Sequence, residues 1–359
     1  MLESIFEAFV QHSPMSVMMR GVMERILQPE KLDEIFARHG KLQYQRELMF
    51  SELVNLMSLV VCGIHPSVNA AYKAQAVNVT RGAVYSKLNG VETAVSAGLL
   101  RETASELEGL IKQMGGAAAP LLPGYEVRIL DGNALAATQR RLKVLQSVSA
   151  APLPGKSLVV LDPQLRLAVD IFPCEDGHAQ ERRLFGQVVE TVKANQLWIA
   201  DRNMCTLDFL MGISHRQASF VIREHLNLPW TAHGELTACG DVEGGQLWSQ
   251  PIEIARGDET LKLRRIVLRL KRPSRHGDAE IVVLTNLPSA AANAQIVMQL
   301  YRERWQVERL FLTVTQNFEA EINTLAYPKA ALFSFSLALV AYNLLATLRA
   351  AKAARSWCG

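Results

Sequence analysis

The 359-residue sequence predicts an α/β fold: a mixed-sheet core carrying a β-rich insertion, preceded by an all-helical N-terminal domain. Three observations lead there. Residues 1–114 consist of amphipathic helical runs with few strand signals, such as "KLDEIFARHGKLQYQRELMFSELVNLMSLVV". After the linker "GGAAAPLLPG" (115–124) the pattern changes to strands. Those strands come in the order three strands, a helix, a strand, a helix and a strand, which suits a mixed sheet better than a purely parallel one.

Composition sets the bounds. Hydrophobic content of 49% and charged content of 20% describe a globular chain able to bury more than one core. The net charge of +3 is mild, so a polyanionic partner must meet a local patch. Cys62, Cys174, Cys205, Cys239 and Cys358 form no CxxC pair, which argues for reduced thiols in a cytoplasmic setting and against structural zinc. The first residues carry Glu3 and Glu7 and no basic leader, so no signal peptide is expected. No period of 20–50 residues repeats.

The helical domain holds 11 Lys and Arg against 12 Asp and Glu, so it is not basic as a whole. Within it, "HPSVNAAYKAQAVNVTRGAVYSKLNG" reads as helix, turn and a second helix capped by Thr80. Arg81, Tyr85 and Lys87 either decorate a DNA-reading helix or belong to an ordinary helical hairpin. The core's first part, 125–224, holds "YEVRILD", "SLVVLD", "RLAVDIF", a helix near 179–194, "QLWIAD", a helix near 205–213 and "ASFVIRE". Residues 225–280 read as a β ribbon with a hairpin at "RGDE" (256–259). The second part of the core, 281–359, is helical from about 290. Its uncharged stretch 330–348 nearly matches a membrane span in length. Ser334, Ser336, Asn343 and Thr347 interrupt it, and the reading is a buried helix that closes a core.

Three acids stand out. Asp131 and Asp201 end predicted strands, where side chains of α/β sheets converge on a crevice. A lone Asp at such a place is more often a turn or helix cap. Glu308 lies in "YRERWQVERLFLTVTQN" (301–317), read as one helix. At 100° per residue, Tyr301, Arg304, Glu308 and Thr315 share a strip beside the apolar arc of Leu300, Val307, Leu310, Phe311 and Val314. Charges beside a buried face are costly unless paired or employed. Carboxylates without a His or Cys cluster suit Mg²⁺ or Mn²⁺, two ions about 3.5–4 Å apart, and phosphoryl transfer. Arg304 either grips phosphate or simply pairs with Glu308 at i,i+4.

These residues resemble a family. Tyr301, Arg304 and Glu308 match the third motif of bacterial DDE transposases of the insertion-sequence-four group: Tyr, two residues, Arg, three residues, Glu, six residues, Lys. Asp131-Gly132-Asn133 resembles the first motif and Asp201-Arg202 the second, with the β insertion between the second and third acids. The resemblance covers about residues 125–345 and implies a ribonuclease H-like core. It also implies Asp131, Asp201 and Glu308 as the catalytic metal ligands, element ends and target DNA as substrates, and a homodimer in the DNA complex. Thr315 stands where the family has lysine, and the chain stops at "KAARSWCG" soon after its last helix. The alternative is therefore a truncated, inactive DNA-binding remnant that regulates transposition.

The stretch "LKLRRIVLRLKRPSR" (261–275) has seven cations, Arg275 included, and no acid. It is either a charged edge strand or a ribbon that follows phosphates through Arg265, Arg269 and Lys271. Lys262 and Arg264 would join that face if a bulge sits at 264–265. Trp230 and Trp248 either pack in the core or stack on an extruded base. A carboxylate-pair glycoside hydrolase is disfavoured by the basic ribbon and the 7% aromatic content.

Overall fold

A computed structural model of the chain describes residues 13–42, 47–75, 77–135, 155–274, 277–322, 325 and 327–356. Arg275 and Cys358 lie outside the described residues. Among the described residues six helices come first: α1 (Pro14–Ile26), α2 (Pro29–His39), α3 (Phe50–Val61), α4 (Val68–Ala74), α5 (Arg81–Gly90) and α6 (Thr93–Gln113). Proline opens α1 and α2, where its missing N–H costs nothing. Ser67 and Thr80 cap α4 and α5 by accepting from the N–H groups of Ala70 and Ala83. Lys87 does not decorate the surface of α5. Its ammonium donates to the Leu48 carbonyl at 2.7 Å and lies 5.0 Å from the Phe36 ring centroid, and burial lowers its pKa.

The strands are β1 (Glu126–Ala134), β2 (Lys156–Asp162), β3 (Leu167–Cys174), β4 (Gln196–Ala200), β5 (Ser219–Arg223), β6 (Thr231–Ala232), β7 (Thr237–Val242), β8 (Gly245–Arg256), β9 (Glu259–Leu270) and β10 (Glu280–Thr285). They form one sheet in the order β3-β2-β1-β4-β5-β10-β9-β8-β6, with β7 also on β8. β1, β4 and β5 are parallel to one another, and the other pairings are antiparallel. Between them come α7 (Phe185–Thr191), preceded by a 3₁₀ turn at Glu181–Leu184, and α8 (Leu207–His215). The C-terminal helices are α9 (Ala294–Arg302), α10 (Trp305–Asn317) and α11 (Pro328–Ser356).

Alternation along the strands builds two cores. Ile129, Val159, Leu161, Leu197, Ile199 and Val221 face α6, α10, α11 and the rest of the helical unit. Leu130, Leu158, Val160, Trp198, Phe220 and Ile222 face α7 and α8. The apolar helix α11 is long and apolar enough to cross a membrane, yet Leu332, Phe333, Phe335 and Leu339 are fully buried within the first core. Asn343 at its centre exchanges two 2.8 Å hydrogen bonds with the backbone of Ala168, and Thr347 donates to the Asn343 carbonyl, so these two polar side chains are satisfied. The linker is packed as well: a Cβ on Gly116 would lie 2.9 Å from the Ala350 carbonyl oxygen.

Three expectations need correction, and one strand is added: β10, which pattern reading passed over, joins β9 and β8 of the ribbon to β5 in one sheet. β9 is not an edge strand, since β8 and β10 flank it. No bulge occurs at 264–265, because both ladders run through these residues in unbroken register. The stretch 301–317 is two helices. Glu303, Arg304, Gln306 and Val307 donate to carbonyls three residues back, and this tightened turn separates α9 from α10.

Candidate active site

Asp131 is not the end of its strand. The antiparallel ladder with β2 continues to Ala134, whereas the parallel ladder with β4 ends at the pair Leu130–Ala200. Asp131 and Asp201 are therefore the residues that follow the last parallel pair on two neighbouring strands. This is where a parallel sheet opens a crevice. Asp201 caps the 3₁₀ turn Arg202–Met204 by accepting from the Asn203 N–H. Asp131 falls on the odd-numbered, α10-facing side of β1 and accepts from the Gly132 N–H at 2.9 Å.

The tightened turn between α9 and α10 brings Arg304 over Asp131. Arg304 Nη1 donates to Asp131 Oδ2 at 3.1 Å, and Nη2 lies 2.6 Å from Glu308 Oε1. One guanidinium thus bridges two carboxylates from segments 173 residues apart. Its side chain is 13% exposed, that of Asp131 18% and that of Glu308 37%. Burial raises the Asp131 pKa to about 6; the Gly132 hydrogen bond and Arg304 oppose the rise, and Asp201 and Glu308 add to it. Burial acts to lower the Arg304 pKa, but Tyr301, Asp131 and Glu308 outweigh it and the net direction is upward. Tyr301, 8% exposed, has its phenol pKa raised by burial, against the opposing influence of Arg304 and Arg223.

Two donors at the site lack an acceptor among the described residues: the buried Nε of Arg304 and the buried Nδ2 of Asn133. A buried donor left unmade costs about 1–3 kcal/mol, so both have the chemistry to receive an oxygen atom. For divalent metal, the donor set is right, being hard oxygens. The described residues do not close three acidic, His or Cys side chains around one point, and the cation between Asp131 and Glu308 is Arg304 itself. The residues fit such an ion in chemistry, with Arg304 in its stead.

Sequence reasoning missed Glu181. A Cβ on Gly132 would lie 2.5 Å from Glu181 Oε1, so the glycine leaves room for a fourth carboxylate on the other side of β1. Burial raises the Glu181 pKa, Lys156 lowers it and Asp201 raises it again. Nothing in the loop "HAQERR" marks this residue, since only folding sets it on Gly132.

Of the basic ribbon, Arg265 is engaged within the protein. It makes a two-pronged contact with Glu224 at 2.9–3.1 Å and lies over the Trp230 ring at 5.2 Å. Arg269 pairs with Glu280 at 2.9 Å and lies 4.7 Å over Trp248. Arg264 turns inward to the carbonyls of Leu287 and Ala292. Lys271 is exposed beyond the end of β9. Neither tryptophan is a core residue: Trp230 is 37% exposed and Trp248 half-buried.

The sequence profile described as the transposase DDE domain matches residues 156–344. That span takes in Asp201 and Glu308 and begins after Asp131. No curated protein sequence matches the chain. Among solved structures, the chain is similar to a piggyBac transposase synaptic complex with hairpin DNA, determined by cryo-electron microscopy. The identity is 12% and the TM-score 0.37, covering 89% of this chain and 73% of that one.

Proposed function

We infer that this chain, which belongs to the transposase DDE domain family, cuts DNA at the terminal inverted repeats of an insertion sequence and joins the freed 3′-hydroxyls to target DNA. The observation that carries the reading is the junction of Asp131, Arg304 and Glu308 beside Asp201, at the last parallel pair of β1 and β4. The match of Tyr301, Arg304 and Glu308 to the Tyr-Arg-Glu signature supports the insertion-sequence-four group. The meander β3-β2-β1 followed by parallel β4 and β5 supports a ribonuclease H-like core. We also propose that the helical domain contributes to DNA binding, that the protein acts as a homodimer on DNA, and that it works at the nucleoid in the cytoplasm.

DDE transposase domains depend on divalent metal, and Mg²⁺ or Mn²⁺, as two ions, is the proposed choice. When bound, the ions would lower the pKa of an attacking oxygen and stabilise the leaving one. Asp131, Asp201 and Glu308 would hold them. Arg304 has a second role open to it: its Nε–H is buried without an acceptor among the described residues and can donate to a phosphate oxygen, while Nη1 and Nη2 hold the carboxylates. Tyr301 packs against the same guanidinium and limits where it can go. Asn133, two residues from Asp131 on the same side of β1, offers a further amide donor to phosphate.

Glu308→Gln keeps size and hydrogen-bonding capacity but removes a charged oxygen. DNA cleavage in Mg²⁺ should fall at least a hundredfold while the melting temperature and DNA affinity stay near wild type. Cleavage close to the wild-type rate would reduce Glu308 to the ion-pair partner of Arg304 and sink the assignment.

A further inference from the structure

The cations that pattern reading assigned to DNA are largely neutralised within the fold, yet others have no such partner. Arg166, Arg309 and Arg349 are exposed and have no ion-pair partner among the described residues. They come from three segments far apart in sequence: the β2–β3 turn, α10 and the last third of α11. All three line one groove. Cavities of about 490 and 510 Å³ adjoin there, sharing Ala118, Ala119, Arg166 and Arg349.

The groove is built. Its floor is pinned by the Ala118 N–H, which donates to the Gln164 carbonyl at 2.9 Å and ties the linker to the β2–β3 turn. Arg166 holds a backbone φ of 58°, an uncommon conformation for a residue other than glycine. Arg166 and Arg349 both act on the phenol of Tyr342, whose pKa burial raises and these two cations lower, so they converge on one hydroxyl. The single lining acid, Glu303, accepts from the Gln306 amide. Ala117, Ala346, Ala350 and Ala353 make the remaining wall shallow, so a bulky backbone can approach closely.

We propose that this groove binds the phosphodiester backbone of duplex DNA, at a place separate from the carboxylate crevice. The inference rests on the DNA-processing reading above. Length favours a polymer over a single small anion. The lining positions on α10 run from Gln306 to Thr313, which at about 1.5 Å per residue is about 10 Å. That span matches about three phosphates of one strand at 3.4 Å each. α10 itself separates the two functions, with Glu308 turned to Asp131 and Arg309 to the groove.

The test is fluorescence anisotropy of the full chain on a labelled random-sequence duplex across a series of KCl concentrations. The slope of log K against log salt should fall by about 0.9 for each phosphate that the triple variant Arg166→Ala, Arg309→Ala, Arg349→Ala no longer neutralises. Affinity near 0.1 M salt should drop about tenfold or more. The melting temperature and the affinity for Mn²⁺ should not change, because none of these side chains supports the core or the acids. An unchanged slope in a folded triple variant overturns the groove while leaving the transposase reading intact. A wild-type protein that binds no duplex overturns both. A matching fall in affinity with an unchanged slope also overturns the proposal, since it places the effect away from the phosphates.

Discussion

Replacing Asp131 with Asn should stabilise the metal-free protein at neutral pH and do nothing at pH 4. In the folded chain Asp131 keeps its proton up to about pH 6, chiefly because it is buried, against an ordinary value of 3.8. Between those values the folded state binds more protons than the unfolded state, so stability falls as pH rises. The contribution is fully present below 3.8 and is lost once pH has passed through about 6. That interval converts to about 3 kcal/mol at 1.36 kcal/mol per pH unit. Asn imitates the protonated form and does not titrate, so the variant escapes the loss. For a chain of 359 residues the entropy of unfolding is about 0.75 kcal/mol/K. The expected gain is therefore about 4 °C in melting temperature at pH 8, shrinking to near zero at pH 4. Differential scanning calorimetry in EDTA from pH 4 to 8 reads it directly. A difference between variant and wild type that does not vary with pH would refute burial as the main influence on Asp131. Saturating Mg²⁺ at pH 8 should reverse the order, raising the wild type by about 4.1 kcal/mol at a thousand times its Kd and leaving the Asn variant behind.

The ribbon cations should separate in the same type of experiment. Arg265→Ala strands Glu224, which is only 8% exposed, and should cost about 3–5 kcal/mol of stability. Lys271→Ala should leave stability alone and lower the salt slope of DNA binding by about 0.9 if that ammonium meets a phosphate; an unchanged slope removes Lys271 from the interface. Thr315, where the signature has lysine, is exposed and returns its hydroxyl to the Phe311 and Leu312 carbonyls within α10. Thr315→Lys should therefore fold normally and keep or raise strand-transfer activity, and loss of activity in a folded variant would show that the position does not face DNA.

What could be read in advance follows the range of each interaction. Short apolar runs in "VRILD", "SLVVL" and "QLWIA" mark β1, β2 and β4, because a strand covered on both faces is apolar at consecutive residues. The i,i+4 pairing of Arg304 with Glu308 was legible because it too is local in sequence. The break at 303–304 was not, since no Pro or Gly announces it and the apolar period continues across it. Nor was the bridge to Asp131, which depends on that break and spans 173 residues.

Charge was the least legible property, and the reason is physical. A run of cations in sequence says nothing of the acids that will lie opposite them. Arg265 meets Glu224 from 41 residues away and Arg269 meets Glu280 across the β9–β10 ladder. Each pairing removes a cation from the set available to a polyanion. Arg166, Arg309 and Arg349 are never neighbours in sequence, yet the β2–β3 turn, α10 and α11 bring them to one groove with a single acid, itself held by Gln306. A mild net charge of +3 is thus compatible with strongly basic ground, provided the fold neutralises cations in the ribbon and leaves them unpaired beside α10. The same rule applies at the acids. Arg304 is the cation that makes Asp131 and Glu308 tolerable beside a buried face, and any partner that takes its place must bring positive charge of its own.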